Sequence, residues 1–242
     1  MFPQLADTYN PIKVYPNFQW LASPKLDGIR CLYYAPNKGL TSRTQRLRYV
    51  GFEEIEQICE SLRINNNLSF LDGELYIPGE KFDVISGIVR DTKDYDVSAK
   101  ARVEFRVFAV GSIANPNMTA ESMLDLMKSA LSDTGRVNYL PHSVIPNTPI
   151  AVQTEAELVK SSGRSDEGIM LRNPSSVYPS TLYQIKVNRI CFHCFQAPNI
   201  TSLAPCIMSL APCVTILTPC IMNQAPCITS LTLCIMMKTY FY

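Results

Sequence analysis

Between residues 52 and 62 the apolar side chains fall at Phe52, Ile55, Ile58, Cys59 and Leu62, with Glu53, Glu54, Gln57 and Glu60 between them. Steps of three and four place the first set on one face, so the segment predicts an amphipathic helix. Residues 121–131 repeat the pattern with Met123, Leu124, Met127 and Leu131 inward, and residues 155–161 predict a shorter helix. The segments 29–34, 68–77, 103–110, 169–171 and 182–187 are short and rich in branched or aromatic residues, which predicts strands. Helices and strands thus mix along the first 190 residues.

The pattern then changes. From Leu203 the chain repeats every seven residues as LAPCIMS, LAPCVTI, LTPCIMN, QAPCITS and LTLCIMM. Such a period suits a coiled coil, but Pro205, Pro212, Pro219 and Pro226 recur once per repeat, and each proline inside a helix costs roughly 3 kcal/mol. A long helix is excluded, and the same argument weighs against a membrane span. The repeat reads as a translated tandem DNA repeat, with disorder expected there. We therefore expect two regions, 1–188 and 189–242.

Composition sharpens this division. Of nine cysteines, only Cys31 and Cys59 precede position 190, whereas all 21 acidic residues do. Cys31 and Cys59 are expected to be ordinary buried thiols of a reduced, intracellular protein, because residues 1–20 are polar and interrupted by proline and so unlike a secretory signal. Cys191, His193 and Cys194 supply at most half of a zinc site, which needs four ligands; His142 is the only other histidine. The net charge of +1 is not the basic signature that flags many nucleic-acid binders, although it leaves room for a local basic groove.

Five short motifs carry candidate chemistry. Lys25-Leu26-Asp27-Gly28-Ile29-Arg30 joins a lysine, an acid, a glycine and an arginine in one tight segment. A lysine amine becomes a nucleophile where burial or neighbouring positive charge favours its neutral form. Leu71-Asp72-Gly73-Glu74-Leu75 presents an acid at the start of a strand. Phe105-Arg106-Val107-Phe108 offers an aromatic for stacking on a base. Asp166-Glu167-Gly168-Ile169-Met170-Leu171-Arg172 brings another acid into a strand, and Tyr183-Gln184-Ile185-Lys186-Val187 places a lone lysine in one. Singly, each has an ordinary reading: a charged surface turn, a solvated acid, a core aromatic or an outward-reaching lysine.

In this order, together with the SR-containing stretch LTSRTQRLR, the series resembles the motifs of the ATP-dependent DNA ligases, members of the covalent nucleotidyl-transferase superfamily. The resemblance spans about residues 5–187. It implies an α+β, ATP-grasp-like adenylation domain of antiparallel sheets flanked by helices. It also implies an activity: Lys25 takes AMP from ATP, passes it to the 5′-phosphate at a nick in duplex DNA, and the 3′-hydroxyl then seals the strand. Such ligases serve replication, repair and recombination. By the same resemblance Ser23 helps read adenine, Arg30 and Glu74 lie near the ribose, Arg43 meets the ribose or the nick phosphate, Phe108 stacks on the base, and Lys186 touches the α-phosphate. Glu167 and Glu74 hold Mg²⁺, a hard cation suited to oxygen ligands. A monomer is expected, with no membrane partner.

Three departures from the family pattern stand out. Asn188 occupies a position where relatives carry a second lysine, an Arg-Ser element between Glu167 and Lys186 is missing, and nothing after Val187 resembles the family's OB-fold domain. Weak nick sealing is the expectation these departures raise. An RNA ligase, an mRNA capping enzyme or a non-catalytic nucleotide-binding remnant are the alternatives.

Overall fold

The computed structural model describes residues 3–185, apart from 14, 16, 132–133, 166 and 179–181. The chain divides into units 1–192 and 193–242. Lys186, Asn188, the Cys191–Cys194 cluster and the whole heptapeptide repeat lie outside the described residues.

Two five-stranded sheets form the frame. The first has the order β1-β10-β9-β2-β8, with β1 (Ala6–Thr8), β10 (Leu182–Ile185), β9 (Ile169–Arg172), β2 (Trp20–Pro24) and β8 (Ser143–Ile145). The second has the order β4-β3-β5-β6-β7, with β4 (Leu40–Ser42), β3 (Ile29–Tyr33), β5 (Leu68–Tyr76), β6 (Glu104–Ser112) and β7 (Val137–Tyr139). The sheets are mainly antiparallel, as expected, but each holds one parallel pair, β1 with β10 and β6 with β7.

Helix α1 (Glu53–Asn65) buries Ile55, Cys59 and Leu62, the predicted face, with Glu53, Glu54 and Glu56 in its first turn and Arg63 in its last, the signs that suit the helix dipole. Helix α4 (Ala120–Ala130) starts at Thr119, whose hydroxyl accepts the Ser122 N–H. Helix α5 (Pro149–Ser161) begins six residues earlier than expected. Thr148 caps it and Pro149 occupies its first turn, a start signal written in the sequence. Helices α2 (Phe82–Arg90) and α3 (Val97–Ala101) were not anticipated; α2 buries only Ile85 and Val89 and contains Gly87.

Each sheet has its own core. Ile55, Cys59, Leu71, Phe105, Val107, Met123 and Met127 pack around the second sheet. Trp20, Ile145, Val152, Ala156, Val159, Ile169 and Leu171 pack around the first. Trp20 is fully buried, and its indole N–H donates to Asn147 Oδ1 at 2.8 Å, which satisfies the polar end of an otherwise apolar side chain. Cys31 and Cys59 are free buried thiols, in line with expectation. Among the described residues no helix is long and apolar enough to cross a membrane.

Candidate active site

β2 is an interior strand of the first sheet, between β9 and β8, and is buried along its whole length. Just beyond its end, Lys25 enters a cleft of about 490 Å³ that takes side chains from both sheets. The loop before β9 fixes the Lys25 backbone. Its N–H donates to the Gly168 carbonyl at 2.9 Å, and its own carbonyl accepts the Ser165 hydroxyl. Gly168 has φ 111°, a conformation that favours glycine. The Lys25 ammonium sits 2.9 Å from Glu167 Oε2, with the two side chains 23% and 35% exposed. At that exposure an ion pair is worth about 1 kcal/mol or less, so it orients the amine yet is readily broken.

The chain turns from β2 into β3 over Gly28. A Cβ there would stand 2.5 Å from the Leu75 carbonyl oxygen, so the close approach to β5 needs glycine. Arg30 then lies opposite Glu74 in the β3–β5 register. Its guanidinium grips Asp72 through both carboxylate oxygens, at 2.9 and 2.6 Å, and donates to the Gln4 carbonyl at 2.6 Å. The Tyr178 hydroxyl donates to the same Asp72 at 2.8 Å. Burial opposes the Arg30 cation, but Asp72 outweighs it and holds the guanidinium charged. Arg30 also packs 5.0 Å from the Phe108 ring centroid, a cation–π contact.

Phe108 owes its place to a bulge. Asp72 faces Ala109 and Gly73 faces Val107, so Phe108 is the extra residue of β6. Phe105 and Val107 stay in the core while the Phe108 ring lines the cleft. Arg172, only 4% exposed, reaches across from β9 and donates through Nη1 to the Phe108 carbonyl at 3.0 Å. Its Nε has no hydrogen-bond partner among the described residues. Burial pulls the Arg172 pKa down to about 10 against the support of Asp72.

Ser23, Lys25, Arg30, Arg43, Glu74 and Phe108 all line this one cleft, and Glu167 joins them through Lys25. Lys186 falls outside the described residues. The first acidic motif requires correction. Asp72 and Glu74 lie in the middle of the nine-residue β5, not at its start, and Asp72 is fully buried. Asp72 and Arg172 stand in the motifs without an assigned role, and Tyr178 is not in any of them. The only signal for them was an acid and an arginine inside strands too apolar to hold an unpaired charge.

Glu74 differs from Asp72. Its carboxyl has no hydrogen-bond partner among the described residues, and burial pushes its pKa up to about 8 despite the pull of Arg30. That value lies above the usual 4.5, so the neutral acid suits the fold and a penalty grows as pH rises. Wild type and Glu74→Gln are therefore expected to be equally stable near pH 4.5. The variant should gain as pH climbs to 8 and keep the gain above it. The difference should be on the order of 1–2 kcal/mol once solvent contact is allowed for. Urea denaturation across this range checks it; a difference independent of pH would contradict the assignment.

No family model matches the sequence. The chain is 26% identical over 133 residues to the DNA ligase of Helicobacter pylori (strain P12), a stretch that is 55% of this chain and 19% of that protein, so the chain spans about a fifth of that relative. Among solved structures it is similar to a Lig E DNA ligase (TM-score 0.61, 21% identity, 76% of this chain and 68% of that one). It is also similar to Chlorella virus DNA ligase-adenylate (0.59, 21%, 77% and 69%) and to the ATP-dependent DNA ligase of bacteriophage T7 in complex with ATP (0.54, 17%, 69% and 62%). These likenesses show the fold: an α+β domain of two antiparallel-rich sheets flanked by helices, as in the DNA ligases.

Proposed function

We propose that this chain is the nucleotidyl-transferase core of an ATP-dependent DNA ligase, acting on nicked duplex DNA. The observation that carries the reading is Lys25, held by Glu167 at 2.9 Å on a cleft whose walls are Arg30, Glu74 and Phe108. The similarity to DNA ligases, one of them solved with ATP, supports it.

ATP enters with its base between Phe108 and Met170, which line the cleft from opposite sheets. Lys25 Nζ attacks the α-phosphorus, an N–P bond forms, the bond to the β-phosphate oxygen breaks, and pyrophosphate leaves. Glu167 is placed to take the proton that Nζ sheds. A DNA 5′-phosphate oxygen then attacks the same phosphorus, the N–P bond breaks, and the Lys25 amine recovers a proton. Finally the 3′-hydroxyl attacks the activated 5′-phosphate and AMP departs. Fixed cations do most of the work in such transfers, because charge spreads over the phosphate oxygens.

The acid set fits Mg²⁺, which takes one or two carboxylates together with substrate phosphates. Glu74, a carboxyl raised by burial and lacking a hydrogen-bond partner among the described residues, is suited to a cation, and Glu167 is the second acid at the cleft. When bound, the metal would neutralise phosphate charge.

A nicked duplex with a labelled 5′-phosphate tests the assignment. The expected product with ATP and Mg²⁺ is 5′-adenylated DNA, with or without sealed strand. Transfer confined to an RNA nick would point to an RNA ligase, and transfer of GMP to a 5′-diphosphate RNA end would point to a capping enzyme.

A further inference from the structure

Three residues stand in one row across the first sheet. Ser23 on β2 pairs with Met170 on β9, and Met170 pairs with Gln184 on β10. Directly paired residues share a face of the sheet, and all three line the cleft. With strands about 4.8 Å apart, Ser23 and Gln184 stand roughly 10 Å from each other with Met170 midway. Phe108 supplies the opposite wall.

This row divides the work of recognition. Met170 is apolar and offers a surface for the flat of a base. Ser23 is almost fully buried and carries a hydroxyl one bond beyond Cβ, so its reach is short. Gln184 is half-buried and carries a carboxamide two carbons further out, with an acceptor and two donors. That carboxamide has no hydrogen-bond partner among the described residues, while the Gln184 backbone is fixed by the Tyr9 N–H at 3.0 Å and by pairing to Thr8. The strand is thus held on both sides.

We propose that Gln184 is the residue that selects the purine, in place of Ser23. The inference rests on the reading of the cleft as an ATP site. A carboxamide accepts from the adenine 6-amino group and donates to N7, the bidentate match that glutamine makes with adenine elsewhere, whereas guanine presents two acceptors, O6 and N7, on that edge. The wild-type cleft therefore favours ATP, and Gln184→Leu removes the preference.

The test uses the full chain, α-labelled ATP and GTP for covalent transfer, and fluorescent ATP and GTP analogues for binding. Variants are Gln184→Leu, Gln184→Asn and Ser23→Ala, each checked for folding by circular dichroism. Wild type is expected to prefer ATP about tenfold or more, the discrimination that one bidentate pair supplies. Gln184→Leu should bring the ratio to within about threefold, through KM rather than kcat, and Gln184→Asn, one carbon shorter, should lower it likewise. Should Gln184→Leu fail to fold, Gln184→Asn gives the same reading. An unchanged ratio in the folded Gln184 variants, or its loss in Ser23→Ala alone, overturns the inference. Selective ATP binding that depends on Gln184 without covalent label would retain the inference and remove the ligase reading. Binding of neither nucleotide removes both.

Discussion

Asp72→Ala is expected to destabilise the protein by about 3–5 kcal/mol, the cost of stripping one partner from a buried charge pair. The carboxylate is fully buried and receives two bonds from Arg30 and one from Tyr178. It also supports the charge of Arg172, which is itself buried. Its removal would leave two guanidinium groups short of negative charge and a phenol without its acceptor. For a domain of this size the loss corresponds to a fall in Tm of roughly 10 °C. Asp72→Asn keeps the shape and one acceptor, so it should fall between alanine and wild type. Thermal and urea denaturation at neutral pH decide it; a loss below about 1 kcal/mol for the alanine variant would show that the network contributes little. Nucleotide affinity should fall with stability, because the same network places Arg30 against Phe108.

Lys25→Arg should separate binding from chemistry. Arginine preserves the positive charge and can still meet Glu167, but its guanidinium does not deprotonate to serve as a nucleophile. Covalent transfer of AMP is expected to fall at least about 10⁴-fold, while binding of unreacted ATP changes by less than about tenfold. Equal loss of both would mean that Lys25 serves the cleft as a binding cation only.

Much of this cleft was legible because its parts are local. Lys25, Gly28 and Arg30 lie within six residues, and the turn they make is closed by a glycine that the motif itself contains. The acids of β5 and the aromatics of β6 could be placed in strands from their apolar neighbours, although the acid was expected at the start of its strand and lies in the middle. Helices α1 and α4 were visible because several turns repeat the same face. By contrast, β1, β4, β7 and β8 have three residues each, too few for a period to show. Helix α2 buries just two residues per its nine and carries Gly87, so its pattern is faint.

What the sequence hid was mostly long-range. β1 pairs with β10 across 176 positions, and the row Ser23–Met170–Gln184 exists only once three distant strands are in register. The bulge at Phe108 depends on how β5 and β6 align, not on any residue that announces it. Arg172 reads as an unremarkable strand end until it meets the Phe108 carbonyl, and Tyr178 as a loop aromatic until it meets Asp72. Local pattern names the candidate charges; only the fold says which of them neutralise each other.

The most direct test of the central claim is to incubate the wild-type chain with α-labelled ATP and Mg²⁺, then denature, digest and locate the label. The account predicts AMP on the peptide containing Lys25, through a bond that survives alkali and is cleaved by acid, as an N–P linkage requires. Label on another residue, or none at saturating ATP, would contradict it.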